Sequence, residues 1–191
     1  AKTHTYKPLY GGMSGTKAER KYYREFLKRY SGIKKWHDKV IDIAIMHKYI
    51  VLPTERSYSF PWVKQSNRGY VSGSTKIKNY PVQGFATADI VPMATITLAK
   101  LYKENKLKSL IVNEVHDSIV TDTYPGEEEK VYELKIKAML SVIEQLKTDF
   151  GYEFIVPLKV EVKNGINWLD MEVVKEGELQ LNMDNENRSQ Q

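Results

Sequence analysis

The stretch Leu110-Ile-Val-Asn-Glu-Val-His-Asp-Ser-Ile-Val-Thr121 sets two β-prone apolar runs on either side of a His116-Asp117 pair. Short runs rich in Ile and Val, broken by two polar residues, read as a hairpin with Asp117 at its tip. A carboxylate held there on stiff backbone can grip a metal ion. Taken alone, such an aspartate is more often a solvent-facing turn residue, and His116 an ordinary surface histidine. One carboxylate is seldom a whole catalytic site, so the remaining sequence has to show what Asp117 works with.

Outward from the hairpin the pattern is helical on both sides. Pro81 can occupy a first helical turn, and Val82 to Lys103 continues with Phe85, Ile90, Ala94, Leu98 and Leu101 as an apolar stripe, predicting a long buried helix. After the hairpin, Pro125 and the acids Glu127, Glu128 and Glu129 suit a helix start, where the macrodipole favours negative charge. Val131, Leu134, Leu140, Ile143 and Leu146 give that helix its face, and Gly151 can end it. Residues 157–162, PLKVEV, alternate as a half-buried strand. Upstream, Thr16-Lys-Ala-Glu19 is a capping-box pattern opening a helix over 17–30. Ser31-Gly32 is expected to stop it, and Ile33 to Tyr49 reads as a second helix. Residues 50–75 break into β-prone pieces with Pro53, Pro61, Gly69 and Gly73, consistent with a short hairpin and a loop.

This order predicts an α+β fold: a helical segment with a β and loop piece at its end over residues 1–74, then a unit over 75–175 with an antiparallel sheet packed on long helices. The polar tail 176–191 is expected to be disordered. A chain of 191 residues that is 41% hydrophobic suits a globular domain with an appendage. Its net charge of +5 is mildly basic and favours phosphate-bearing partners without demanding them. The absence of cysteine excludes disulfides, thiolate zinc sites and cysteine nucleophiles, and fits a reducing, cytoplasmic compartment. No apolar run approaches the roughly 18 residues of a membrane span, and AKTHTYK is not a signal peptide. A start at Ala1 suggests a processed, cut or artificially started piece.

Lys2, Tyr6 and Tyr10 are four apart, so in a helix they share one face, an ammonium beside two rings. Lysine can neutralise phosphate oxygens and tyrosine can pack on a sugar or base, although spacing alone leaves open a frayed terminus. Asn79 and Gln83 repeat the interval of four.

Four segments in one order carry a resemblance. AKTHTYKPLYGGMSG at the start resembles motif B of the family A DNA polymerases, the group of bacterial DNA polymerase I and many phage replicases. KNYPVQGFATADI, residues 78–90, is similar to the Asn-x-x-x-Gln segment leading into that family's palm helix. VHDS, residues 115–118, resembles motif C, and PLKVEVKNGINW, residues 157–168, resembles the closing palm strand. The impression is phage-like. The resemblance implies that residues 1–74 are part of the fingers and 75–175 the carboxy-terminal part of the palm. It implies that Lys2 contacts the incoming triphosphate, that Tyr6 packs beside its sugar, and that Tyr10 and Gly11 border the template base. Asn79 and Gln83 would donate to the minor groove near the primer end, where purine N3 and pyrimidine O2 acceptors look alike in every correct pair. His116 would touch the primer terminus, and Asp117 would ligate two Mg²⁺ ions during attack of the primer 3′-hydroxyl on the α-phosphorus of a dNTP.

Departures are as informative. Ser118 stands where these polymerases usually carry glutamate, and His-Asp-Ser is the form common in single-subunit RNA polymerases. Thr75 lies where a basic primer contact is often found, leaving Lys76 or Lys78 as substitutes. Motif A, with the second metal-binding aspartate, lies upstream of motif B in this family. The expectation is therefore a carboxy-terminal fragment, inactive alone, that pairs with an amino-terminal polypeptide carrying motif A and then acts on primer-template DNA. The alternatives are an RNA polymerase fragment and a non-catalytic nucleic-acid-binding module.

Overall fold

The computed structural model describes residues 6–11 and 15–179. They divide into two compact units, residues 1–85 and 86–191, whereas the sequence reading divides the chain at 74/75. Each unit has its own apolar cluster.

In the first unit a π-helical turn, Lys7–Gly11, precedes α1 (Lys17–Arg29) and α2 (Ser31–His47). The capping box forms: Thr16 Oγ1 accepts from the Glu19 amide at 3.2 Å, and the Glu19 carboxylate accepts from the Thr16 amide at 2.8 Å. The break between the helices falls at Tyr30, one residue before the expected Ser31-Gly32, which begin α2 instead. Lys48, left-handed at φ 64°, ends α2 and turns the chain into β1 (Tyr49–Val51), which pairs antiparallel with β2 (Ser57–Ser59). Val40 and Ala44 of α2 meet Ile50, Phe60, Val63, Val71 and Ile77 in the core. Burying side chains of this kind stabilises by about 1.5–3 kcal/mol each.

The next helix, α3 (Ser74–Gln83), starts eight residues earlier than Val82, where the sequence places it. Pro81 lies inside it rather than in a first turn, and α3 gives way three residues later to a π-helical segment, Gly84–Ile90. Gly84 is required there, because a Cβ would collide with the Tyr58 hydroxyl. Residues 74–104 together are long and apolar enough, by length and composition alone, to cross a bilayer. The core helix of a soluble protein passes the same test.

In the second unit α4 (Val91–Glu104) buries Val91, Ala94, Leu98 and Tyr102 at helical spacing against Val131, Leu134 and Ala138 of α5 (Glu128–Leu140). The single helix expected up to Gly151 breaks at Ser141 into α5 and α6 (Val142–Phe150); Gly151, at φ 63°, does form the cap. Glu127 precedes α5, and its carboxylate accepts from the Lys108 and Ser109 amides and the Ser109 hydroxyl at 2.7–3.0 Å, tying the strand entry to the helix start. The hairpin consists of β3 (Leu110–Val115) and β4 (Ser118–Asp122). A second antiparallel pair joins β5 (Leu158–Asn164) to β6 (Glu172–Leu179). Among the described residues there are thus three two-stranded antiparallel sheets. The expectation of disorder from residue 176 is overturned for 176–179, which pair in β6; Gly177 lies so close to Ile136 of α5 that a Cβ would overlap it. Residues 180–191 lie outside the described residues.

Candidate active site

Val115 pairs with Ser118, so His116 and Asp117 form a two-residue turn, with His116 at φ 54°. Ser118 Oγ donates to the Val115 carbonyl at 2.8 Å and closes the turn. A bulge between Ile111 and Asn113 adds local twist to β3. Asp117 is exposed, and its carboxylate makes no hydrogen bond or ion pair among the described residues. Its oxygens are therefore uncommitted, which fits a hard divalent cation. A single carboxylate is too few ligands for a closed site, and the described residues contain no group of three or more His, Asp or Glu that could hold a metal.

Asp117 opens onto a groove of about 750 Å³ within the second unit. One wall is residues 117–123 and the other is residues 159–168, with Tyr132, Lys135 and Met139 of α5 also lining it. Successive rather than alternate residues reach the groove from β4 and β5, as expected where strand edges border it. Lys135 Nζ donates to Thr121 Oγ1 at 3.2 Å, and burial pushes its ammonium pKa down. At the far end Ile166, Trp168 and Leu169 are 96%, 62% and 91% exposed, on a turn that Asn167 braces by accepting from the Leu169 and Asp170 amides.

In the first unit Tyr6 and Tyr10 share a face as the spacing predicts, their rings 6.3 Å apart and 27° from parallel. Gly11 closes the same π-helical turn. Lys2 lies outside the described residues. Two contacts that the sequence reading missed fix this turn. His37, buried on α2, bonds through Nε2 to the Leu9 carbonyl at 2.7 Å, so that nitrogen carries the proton. Burial first, and then Lys78, hold the His37 pKa below its ordinary value. Glu19 reaches Lys7 at 3.3 Å as well as capping α1, and these bonds, the Thr16 amide foremost, push its pKa down to about 2. Only the burial of His37 beside Val40 and Ala44 on one face of α2 could have signalled its role.

Asn79 and Gln83 both lie on α3, the former half-buried and the latter exposed. Lys76 and Lys78 differ sharply: Lys76 is exposed, whereas Lys78 is only 8% exposed and burial lowers its pKa.

A mainly helical unit followed by an α+β unit with an aspartate at a hairpin tip is the arrangement to compare with known proteins. The family model for DNA polymerase family A matches residues 10–170. The chain belongs to that family. DNA polymerase I of Caldicellulosiruptor bescii is 32% identical over 166 residues, covering 84% of this chain and 18% of that protein. DNA polymerase I of Lactococcus lactis subsp. cremoris is 31% identical over 157 residues, 81% of this chain and 16% of that protein. The chain thus spans less than a fifth of the length of these relatives. The solved POL domain of Pol1 from M. smegmatis, complexed with DNA primer-template and dNTP, matches with a TM-score of 0.64 at 23% identity, covering 72% of this chain and 26% of that one. That likeness is one of fold.

Proposed function

We propose that this chain supplies part of the fingers and the carboxy-terminal part of the palm of a template-directed DNA polymerase, working in the cytoplasm. The observation that carries this reading is the free Asp117 carboxylate on a rigid two-residue turn, in a chain of family A. Mg²⁺, when bound, would activate the primer 3′-hydroxyl and offset charge on the α-phosphate and the leaving pyrophosphate. Asp117 would hold it. His116, beside it on the turn, would contact the primer terminus. Lys2 and Tyr6 would hold the triphosphate and sugar of the dNTP, while Tyr10 and Gly11 would border the template base. Asn79 and Gln83 would donate to the minor groove of the new pair, with Lys76 rather than buried Lys78 on the primer phosphates.

The second metal-binding carboxylate would come from outside these 191 residues. The groove supports this, because unpaired strand edges such as those of β4 and β5 invite an added strand. In our reading that strand carries the motif A aspartate of the enzyme. Lys135 and Trp168 would then be covered by it.

The test is primer extension by the whole enzyme that contains these residues. Asp117→Ala is expected to reduce extension to background while leaving DNA binding intact. Undiminished extension would overturn the reading and favour a binding module. His-Asp-Ser supports a second reading, an RNA polymerase; a preference for ribonucleotides in the same assay would establish it.

A further inference from the structure

Away from the hairpin and the motif B turn, α1 carries an arrangement that the reaction does not use. Tyr22, Phe26 and Tyr30 lie four apart and form a ladder of rings, with centroids 6.3 Å and 4.9 Å apart. Tyr22 is 42% and Tyr30 47% exposed, and the Arg29 guanidinium sits 5.8 Å from the Tyr30 ring centroid. The ladder borders a shallow recess of about 600 Å³, closed by Glu25, Arg29 and Ile33. A row of half-exposed rings is an unusual use of aromatic surface in water.

The charge around the ladder says what covers it. Lysine and arginine occupy six of the thirteen positions of α1, against two glutamates. Both carboxylates are committed, Glu19 to the capping box and Lys7, and Glu25 to Lys21 at 3.9 Å. Lys17, Arg20, Arg24, Lys28 and Arg29 make no ion pair among the described residues. The first unit as a whole holds 17 Lys and Arg against 5 Asp and Glu, net +12, while the second holds 12 against 19, net −7. The partner of this face is a polyanion, and exposed rings select one whose unstacked bases offer their π-faces. Paired bases in a duplex hide those faces; those of a single strand do not.

We propose that the aromatic face of α1 is a docking platform for single-stranded nucleic acid, with bases stacking on Tyr22, Phe26 and Tyr30 and the backbone neutralised by Arg29 and its basic neighbours. This goes beyond the nucleotidyl-transfer reading and does not depend on it. The test is fluorescence anisotropy of a labelled 16-nucleotide oligo-dT, and of a fully paired hairpin, with the 191-residue chain. Tyr22→Ala/Tyr30→Ala removes two exposed rings and is expected to weaken oligo-dT binding by at least about tenfold while changing hairpin binding by less than about twofold. Tyr22→Phe/Tyr30→Phe keeps the rings and is expected to keep the affinity. Arg29→Gln is expected to flatten the dependence of log K on log salt by about 0.7. Unchanged oligo-dT affinity in the alanine pair overturns the proposal, as does equal loss for both nucleic acids. Unchanged affinity together with lost self-association in sedimentation would assign the face to contact between copies of the chain instead. Should the alanine pair lose helical circular dichroism, the phenylalanine pair and Arg29→Gln decide: lost affinity in the first, or an unchanged slope in the second, overturns the proposal. Asp117→Ala is expected to leave oligo-dT affinity unchanged, so this proposal and the catalytic reading fail separately.

Discussion

Tyr102 sits on α4 with 6% of its surface exposed, and its buried hydroxyl lies beside Thr121 without a well-formed hydrogen bond to it. A buried, unmatched hydroxyl costs about 1–3 kcal/mol of stability. Burial also pushes its pKa up to about 12. An unfolded tyrosine ionises near 10, so between pH 10 and 12 the unfolded state holds fewer protons than the folded one, and stability falls as pH rises through that window. Tyr102→Phe is expected to raise the urea-unfolding free energy by about 1 kcal/mol at pH 7 and to remove this loss at alkaline pH. A lower free energy at pH 7 would mean that the hydroxyl finds a partner in solution. At the same scale, Asp117 was legible because both its neighbours and the length of its turn are local. His37 was not, because its bond to the Leu9 carbonyl joins residues 28 apart. Ser118, a departure from the family pattern, also braces the turn locally.

Among the elements, α1 was read almost to the residue because the capping box writes its own start in four letters, Thr16 to Glu19. The ionised Glu19 carboxylate supports that start fully above its unfolded value near 4.5, and the support is lost as pH falls toward 2. Thr16→Ala is expected to cost about 1 kcal/mol at pH 7 and to speed amide exchange in the first turn of α1. Unchanged exchange would show that packing of Tyr23, not the cap, sets that end. The start of α3 was misread because Pro81 suits a first turn, while the helix absorbs it beside a π-helical segment instead. β6 was missed because charged residues and a glycine interrupt its apolar ones; it forms as the partner of β5, in a register that runs from Asn164 opposite Glu172 beside the turn to Leu158 opposite Leu179 at the far end. Pairing of that kind comes from backbone, which leaves little trace in composition.

For the whole molecule, the modest net charge of +5 concealed the largest asymmetry in the sequence. Once the division at 85/86 is known, 17 of the 29 cations lie in the unit with the Lys7–Gly11 turn and 19 of the 24 acids in the unit with Asp117. Under the proposed function, affinity for primer-template DNA draws its salt dependence from the first unit, since each phosphate neutralised on a duplex contributes about 0.9 to the slope of log K against log salt. Lys76→Gln, at an exposed position on α3, is expected to flatten that slope by about one such unit. Lys78→Met is expected to leave it unchanged, because that side chain is buried. Lys147→Gln, on α6 of the acidic unit, serves as the control and is also expected to leave it unchanged. Equal flattening by Lys76→Gln and Lys147→Gln would mean that DNA responds only to net charge. Flattening by Lys78→Met alone would move the primer contact onto the buried lysine and require α3 to open when DNA binds.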